Sequence, residues 1–441
     1  MESSGEGLNR AIGIKSLAAS VVNLTVGAGI FVLPALVAEK LGHASTVAYL
    51  ICGALIFMIM MCFAEVGSQT STSGGIYKYV ESAFGPYVGF LTSNLYWFGF
   101  GMISDAAIAN ALFEMIALYV PDIDTLFGRL LFFLLVFGLL AWINVRGVKY
   151  GAKVISVLTL AKLLPIALLL FFGWPKIDTA NLSVWGDFEF NHLGEACLIL
   201  FFAFVGGEAA LTTGGEIRNP KRSVPLGLLS GIVIVILIYL GIQVLAQGIL
   251  GADLSLYKEA PLARIATVIF GSVGPTLIVL ATALAILGAI SGDILAMPRF
   301  LFASSKDKLI PDMLSSIHPR FRTPYISIIT YSFLAFVLSL SGSFKGLAIL
   351  SSSANLITYF AVVLSLWKLK KNDRLAADES GIRVPVFLIP LILITMLWLL
   401  SHLSIGEYAA LFIFLLLCSL YYFRKALALW LKKILVAQQS N

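Results

Sequence analysis

The stretch V-G-A-G-I-F-V-L-P, Val26 to Pro34, lies in the middle of the chain's first long apolar run. A second interruption of the same kind, F-F-A-F-V-G-G-E from Phe201 to Glu208, lies in the sixth. Glycine pairs at Gly27/Gly29 and Gly206/Gly207 weaken a helix and let its backbone unwind. In hydrocarbon, freed N–H and C=O groups are tolerated only where they face protein, water or a ligand. Small residues also serve close helix packing. Here, however, the two breaks occupy equivalent positions of two five-helix halves. That correspondence predicts inverted repeats with discontinuous first and sixth helices and a binding site near the midplane.

The surrounding composition sets the medium. Of 441 residues, 59% are hydrophobic and 12% charged, against about 45–50% and 25% in soluble domains. Only a polytopic membrane protein fits, with the lipid bilayer as its first partner. A large soluble enzyme, a receptor with a big extramembrane domain and a nucleic-acid binder are excluded. Windows long enough to cross fall at 13–37, 44–66, 87–117, 128–145, 153–173, 194–213, 225–250, 268–297, 325–341, 346–367, 384–400 and 406–423. These predict an all-α protein of twelve transmembrane helices, since the ten-residue alternation of a barrel is absent. Residues 13–173 form the first repeat, 194–367 the second, and 384–423 two peripheral helices. Segments 1–12 and 424–441 are tails.

Twenty-three of the 30 lysines and arginines fall on one side of this topology, six on the other, and Lys162 inside a span. The bias predicts that both termini are cytoplasmic, in a cell or plasma membrane. The opening residues Met1-Glu2-Ser3-Ser4-Gly5-Glu6 are polar and acidic, unlike a signal peptide. Cys52, Cys62, Cys197 and Cys418 lie singly in apolar runs, and the four histidines are scattered. No metal-ligand spacing and no cofactor motif results.

The breaks carry the chemistry. The N-terminal end of an outer half-helix presents free N–H groups and a positive dipole end, a seat for a carboxylate. Ala28, Gly29 and Ile30 supply such groups. Carbonyls around Leu24 and Thr25, and near Phe202, Ala203 and Val205, suit an ammonium. Backbone complementary to both ends of a zwitterion fits an α-amino acid; a polyamine or organic cation would use the carbonyls alone.

These residues resemble the amino acid–polyamine–organocation transporters, over nearly the whole chain. Gly27–Phe31, G-A-G-I-F, is similar to the family's G-S-G-I-F, with Ala28 where serine is common. Ala64–Gly75, Phe84–Gly89, Glu216–Pro225, Ala303–Pro311 and Arg322–Pro324 resemble family motifs in the family's order, with Lys308 in place of a glycine. Length and L-Y-W at Leu95–Trp97 look most like the bacterial basic amino acid and polyamine antiporters. The resemblance implies a transporter, not an enzyme.

Ionisable residues inside spans are costly and therefore informative. In many family members a lysine at the position of Lys162 faces the unwound first span. By that resemblance Lys162 stabilises the break or carries a coupling proton. Glu208, directly after the second break, either gates and senses protons or caps the outer half-helix. Asp105 and Asp293 are either buried partners of lysine and backbone donors, or recognise a cationic side chain. Glu65 is expected to pair with loop cations. Among the aromatics Phe31, Tyr96, Trp97, Phe202 and Phe204, Phe202 matches a substrate-covering position of relatives. Ser351, Ser352, Ser353 and Thr358 offer hydroxyls.

The sequence therefore predicts a secondary active amino acid permease working by alternating access. Proton-coupled uptake is placed ahead of exchange because Lys162 is present. Exchange of cationic substrates and a non-transporting amino acid sensor on the same fold are the alternatives.

Overall fold

Leu131, Leu134, Leu135, Leu139 and Trp142 all lie on the outside of one helix, each at least 47% exposed. Water would penalise so broad an apolar face, whereas lipid tails match it. The interior holds the polar exceptions, among them Asn110, Gln243, Ser352 and Asn355. The protein is an all-α, multi-pass membrane bundle turned to its solvent in this sense.

The computed structural model describes residues 12–69, 75–146, 162–182, 190–306, 310–372 and 382–424. Both tails beyond these limits, the first part of the fifth window up to 161, Thr70–Gly74 of the motif after the second window, and Lys308 lie outside the described residues. So do the side chains of 213–216.

The first window is two helices, α1 (Ile14–Thr25) and α2 (Gly29–Leu41). A turn at Gly42–Ala44 leads to α3 (Ser45–Gln69). Next come α4 (Gly75–Phe84), α5 (Pro86–Tyr96) and α6 (Ser104–Ala117), the last two joined by a π-helical turn at Trp97–Ile103. Helix α7 (Leu126–Arg146) is followed by α8, described over 162–173. Helix α9 (Phe190–Phe204) runs into ten residues of 3-10 helix, Gly207–Glu216. Then follow α10 (Pro220–Leu250), α11 (Pro261–Phe270), α12 (Val273–Ala296) and α13 (Pro298–Lys306). The described residues end with α14 (Tyr325–Ser341), α15 (Phe344–Lys371), α16 (Leu388–Leu400) and α17 (Ile405–Tyr422).

Eight helical stretches among the described residues are long and apolar enough to cross a membrane; α1, α11, α14 and α16 are apolar but shorter. Two of the eight carry the irregularities that position the site. Pro86–Ala117 contains the π turn, and His192–Thr212 contains the second break. Runs of 3-10 helix longer than three or four residues are uncommon, and π turns are often found at functional sites.

Helix α1 packs on α10, α2 on α9, and α3 on both α9 and α10. Helix α12 packs on α6 and α7, and α14 on α7 and α6, while α15 lies against the π turn and α6. Ahead of α1, Ile12 forms a one-residue parallel bridge with Ile217, and Arg218 N–H donates to the Ile12 carbonyl at 2.9 Å. The start of the first broken helix is thereby tied to the end of the second.

Two ionic clusters mark opposite ends of the bundle. Glu39, near the end of α2, meets Lys258 at 2.8 Å and Lys345 at 3.7 Å, and Lys40 pairs with Glu195 of α9. At the other end Glu65 meets Lys370 at 2.8 Å and accepts the Val384 N–H at 2.7 Å. The cation expected for Glu65 is therefore in the last turn of α15.

Candidate functional site

Both breaks arise where the sequence placed them, and glycine geometry explains why they meet. Gly206 has φ +118°, a conformation that side-chain-bearing residues rarely adopt. A Cβ on Gly29 would stand 3.0 Å from that of Ala203, so glycine there lets the two broken segments touch.

Each unwound backbone group costs several kcal/mol in a bilayer unless it finds a partner. Three side chains supply partners. Lys162 Nζ donates to the Asn23 carbonyl at 2.6 Å. The Tyr239 hydroxyl lies 2.9 Å from the Thr25 carbonyl and 2.9 Å from the Ala203 carbonyl, joining the two breaks through one O–H. Gly206 N–H, which in a continuous helix would bond back to the Phe202 carbonyl, donates to Glu208 Oε2 at 3.0 Å. Glu208 Oε1 accepts the Tyr96 O–H at 3.1 Å. Of the two readings for Glu208, capping of the break is the one with geometry here.

A cavity of about 370 Å³ lies between the breaks and α12. Of the residues singled out by sequence, Thr25, Gly27, Ala28, Gly29, Lys162, Phe202, Ala203, Val205 and Asp293 line it. Ile30, Asp105, Gly206, Gly207 and Glu208 do not. Ile30 is 3% exposed, with its side chain inside the packed core. Asp105 is set back because its neighbour Ser104 takes the wall position; Glu208 turns toward Tyr96 and Gly206. The lining runs along α1 to Ile12 and along α12 and α13 to Phe300, whereas α2 contributes only Gly29. The cavity thus extends toward the Ile12 end and stops short of the Glu39 end. On the closed side Phe202 makes an edge-to-face contact with Phe344, centroids 5.8 Å apart.

Of the five aromatics considered from sequence, Phe202 alone reaches the cavity. Tyr96 instead stacks on Phe100, a lining residue that sequence reasoning missed. The π turn was missed as well. Ser351 of α15 donates to the Gly99 carbonyl within it at 2.8 Å, and Asn355 binds the Ser351 carbonyl at 2.9 Å. Ser351 and Asn355 both line the cavity. The G-F-G spacing at Gly99–Gly101 was the available signal. Tyr239 sits in an unremarkable apolar helix and had none.

Discontinuous helices that present N–H groups and carbonyls to one cavity inside a membrane bundle are the construction of a secondary transporter. The chain belongs to the amino acid permease family, whose model matches residues 12–428, within the amino acid–polyamine–organocation superfamily. Its function is secondary active amino acid transport, and its family is one of transporters rather than enzymes. It is 30% identical over 402 residues to the serine/threonine exchanger SteT of Bacillus subtilis, covering 88% of this chain and 89% of that protein. It is 29% identical to cationic amino acid transporter 9, chloroplastic, of Arabidopsis thaliana, over 72% of this chain and 58% of that one. Cationic amino acid transporter 4, vacuolar, of the same plant is 24% identical, over 82% of this chain and 64% of its own length.

Proposed function

We propose that this permease exchanges amino acids across the membrane by alternating access between the two broken helices. The observation that carries the reading is the meeting of both breaks at one cavity, joined through Tyr239 and backed by Lys162. Proton-coupled uptake, the order of preference drawn from Lys162 alone, gives way to exchange. The reason is the similarity along 88% of the chain to a protein named as an exchanger.

In this reading the N–H groups of Ala28 and Gly29, at the start of α2, hold the substrate carboxylate. The Phe202 carbonyl, released by the turn of Gly206 toward Glu208, holds the ammonium together with the Leu24 and Val205 carbonyls. Thr25 and Ala203 each keep a second lone pair beside Tyr239. Phe202 covers the substrate, and Lys162 holds the unwound end of α1 in place. The helices make twelve crossings, 13–173 and 194–367 as inverted five-helix repeats, with α16 and α17 peripheral and both termini cytoplasmic. The 40-residue stretch Gly29–Ser68, turned at Gly42 with φ +51°, supports that count, because about 30 Å of hydrocarbon takes only about 20 helical residues.

Asp293 in the cavity wall favours a second reading, exchange of cationic amino acids, which the two plant relatives' names parallel.

Proteoliposomes loaded with unlabelled serine, threonine, lysine or arginine distinguish these. Uptake of labelled amino acid should require amino acid inside and ignore an imposed pH gradient. Concentrative uptake into empty vesicles driven by the gradient would overturn exchange. Binding without flux would identify a sensor. The internal amino acid that stimulates most names the substrate class.

A further inference from the structure

Asp293 and Asp105 form a feature that holding the substrate's carboxylate and ammonium does not use. Asp293 of α12 is partly exposed, and that exposure faces the cavity. Asp105 of α6 lies behind it with no exposure at all, and the two carboxyls are within hydrogen-bonding reach of each other. Asp105 Oδ2 accepts the Tyr331 O–H of α14 at 2.9 Å. Its Oδ1 is fully buried and has no hydrogen-bond partner.

Three groups face this pair. Lys162 of α8 acts on Asp293 by charge while its hydrogen bond goes to Asn23. Tyr331 is engaged with Asp105. Tyr96 of α5 acts on Asp293 but donates its O–H to Glu208. None of these hydrogen bonds supplies the donor that Asp105 Oδ1 needs. Two carboxylates touching in a water-poor interior cannot both be ionised, and an orphaned buried acceptor is itself costly. One proton placed between them removes both penalties.

We infer that Asp105 and Asp293 share a single proton, forming a proton-binding site in the cavity wall that is distinct from Lys162. The O–H of one carboxyl donates to the other, which keeps the negative charge. Asp293, the member that meets the cavity, is the point where the proton enters and leaves. Asp105 is a positioning residue, held by Tyr331. The site stands on the packing of α6, α12 and α14 and does not depend on the direction of amino acid transport.

Infrared difference spectroscopy of the full-length protein in lipid, in H2O and D2O at neutral pH, tests this. The expected result is a protonated carboxylic-acid band that shifts on deuteration and is lost in both Asp105→Asn and Asp293→Asn. Asparagine supplies an N–H in place of the shared proton, so these variants should keep the wild-type amide band and melting temperature. Tyr331→Phe should move the band's frequency without removing it, and covers the case in which an asparagine variant does not fold. Absence of the band, its survival in either asparagine variant, or a band unmoved by Tyr331→Phe would overturn the inference.

Discussion

The ammonium of Lys162 donates a 2.6 Å hydrogen bond to the backbone carbonyl of Asn23, two residues before α1 ends at the first break. A buried cation thus takes up a carbonyl that unwinding would leave exposed to hydrocarbon. A hydrogen bond from a charged donor contributes about 1.5–3 kcal/mol, or about tenfold per 1.4 kcal/mol in an equilibrium. Lys162→Ala is expected to lower exchange in proteoliposomes by about tenfold or more. Unchanged exchange at equal protein content would remove Lys162 from the mechanism.

Tyr239→Phe isolates the link between the breaks. The ring keeps its contact with Phe204, centroids 5.0 Å apart, while the carbonyls of Thr25 and Ala203 lose their shared donor. Stability should fall by about 1–3 kcal/mol for the buried groups left unpaired. Thermal unfolding in detergent measures this, and a melting temperature equal to wild type would show that neither carbonyl needs the hydroxyl.

Gly206→Ala should abolish exchange while a control glycine tolerates the same change. At Gly206 the φ of +118° strains any side chain, and a Cβ would stand 2.8 Å from the Leu24 carbonyl. Strain of this kind costs about 1–3 kcal/mol. Gly138 in α7 has open space around its Cβ position, and alanine there is a better helix former by about 1 kcal/mol. Equal activity of the two variants would contradict the assigned geometry.

The Glu65–Lys370 pair should behave as a buried one, since their side chains are 4% and 16% exposed. Removing one partner of such a pair costs about 3–5 kcal/mol, whereas replacing both is nearly neutral. Lys370→Met is therefore expected to lower the melting temperature more than the Glu65→Leu/Lys370→Met double variant. Additive losses would show that the two charges do not depend on each other.

The Glu39 cluster is weaker and predicts a shift rather than a collapse. Its lysines are 43% and 40% exposed, and pairs this open contribute about 0–1 kcal/mol each. Glu39→Gln should raise, by a few-fold, the rate at which an impermeant thiol reagent applied from the Glu39 face labels Ala28→Cys in a background free of native cysteines. An unchanged rate would mean that the cluster does not hold that end closed.

The sequence by itself determined the solvent of the fold and the places where its helices fail. Apolar runs show as composition, and glycine pairs such as Gly27/Gly29 act on their own backbone, so neither needs a distant partner to be read. Lys162 and Asp293 were legible for a related reason: a charge in an apolar run announces itself by its cost. Tertiary structure alone decided which groups answer those features. Tyr239 is 36 residues from Ala203 and 214 from Thr25. The π turn at Trp97–Ile103 is seated by Ser351, 252 residues from Gly99. Asp105 and Asp293 looked alike in the chain, yet one meets the cavity and the other stands behind it. Which way a helical side chain points depends on the helix's rotation in the bundle, and that rotation is fixed by packing between segments far apart in sequence.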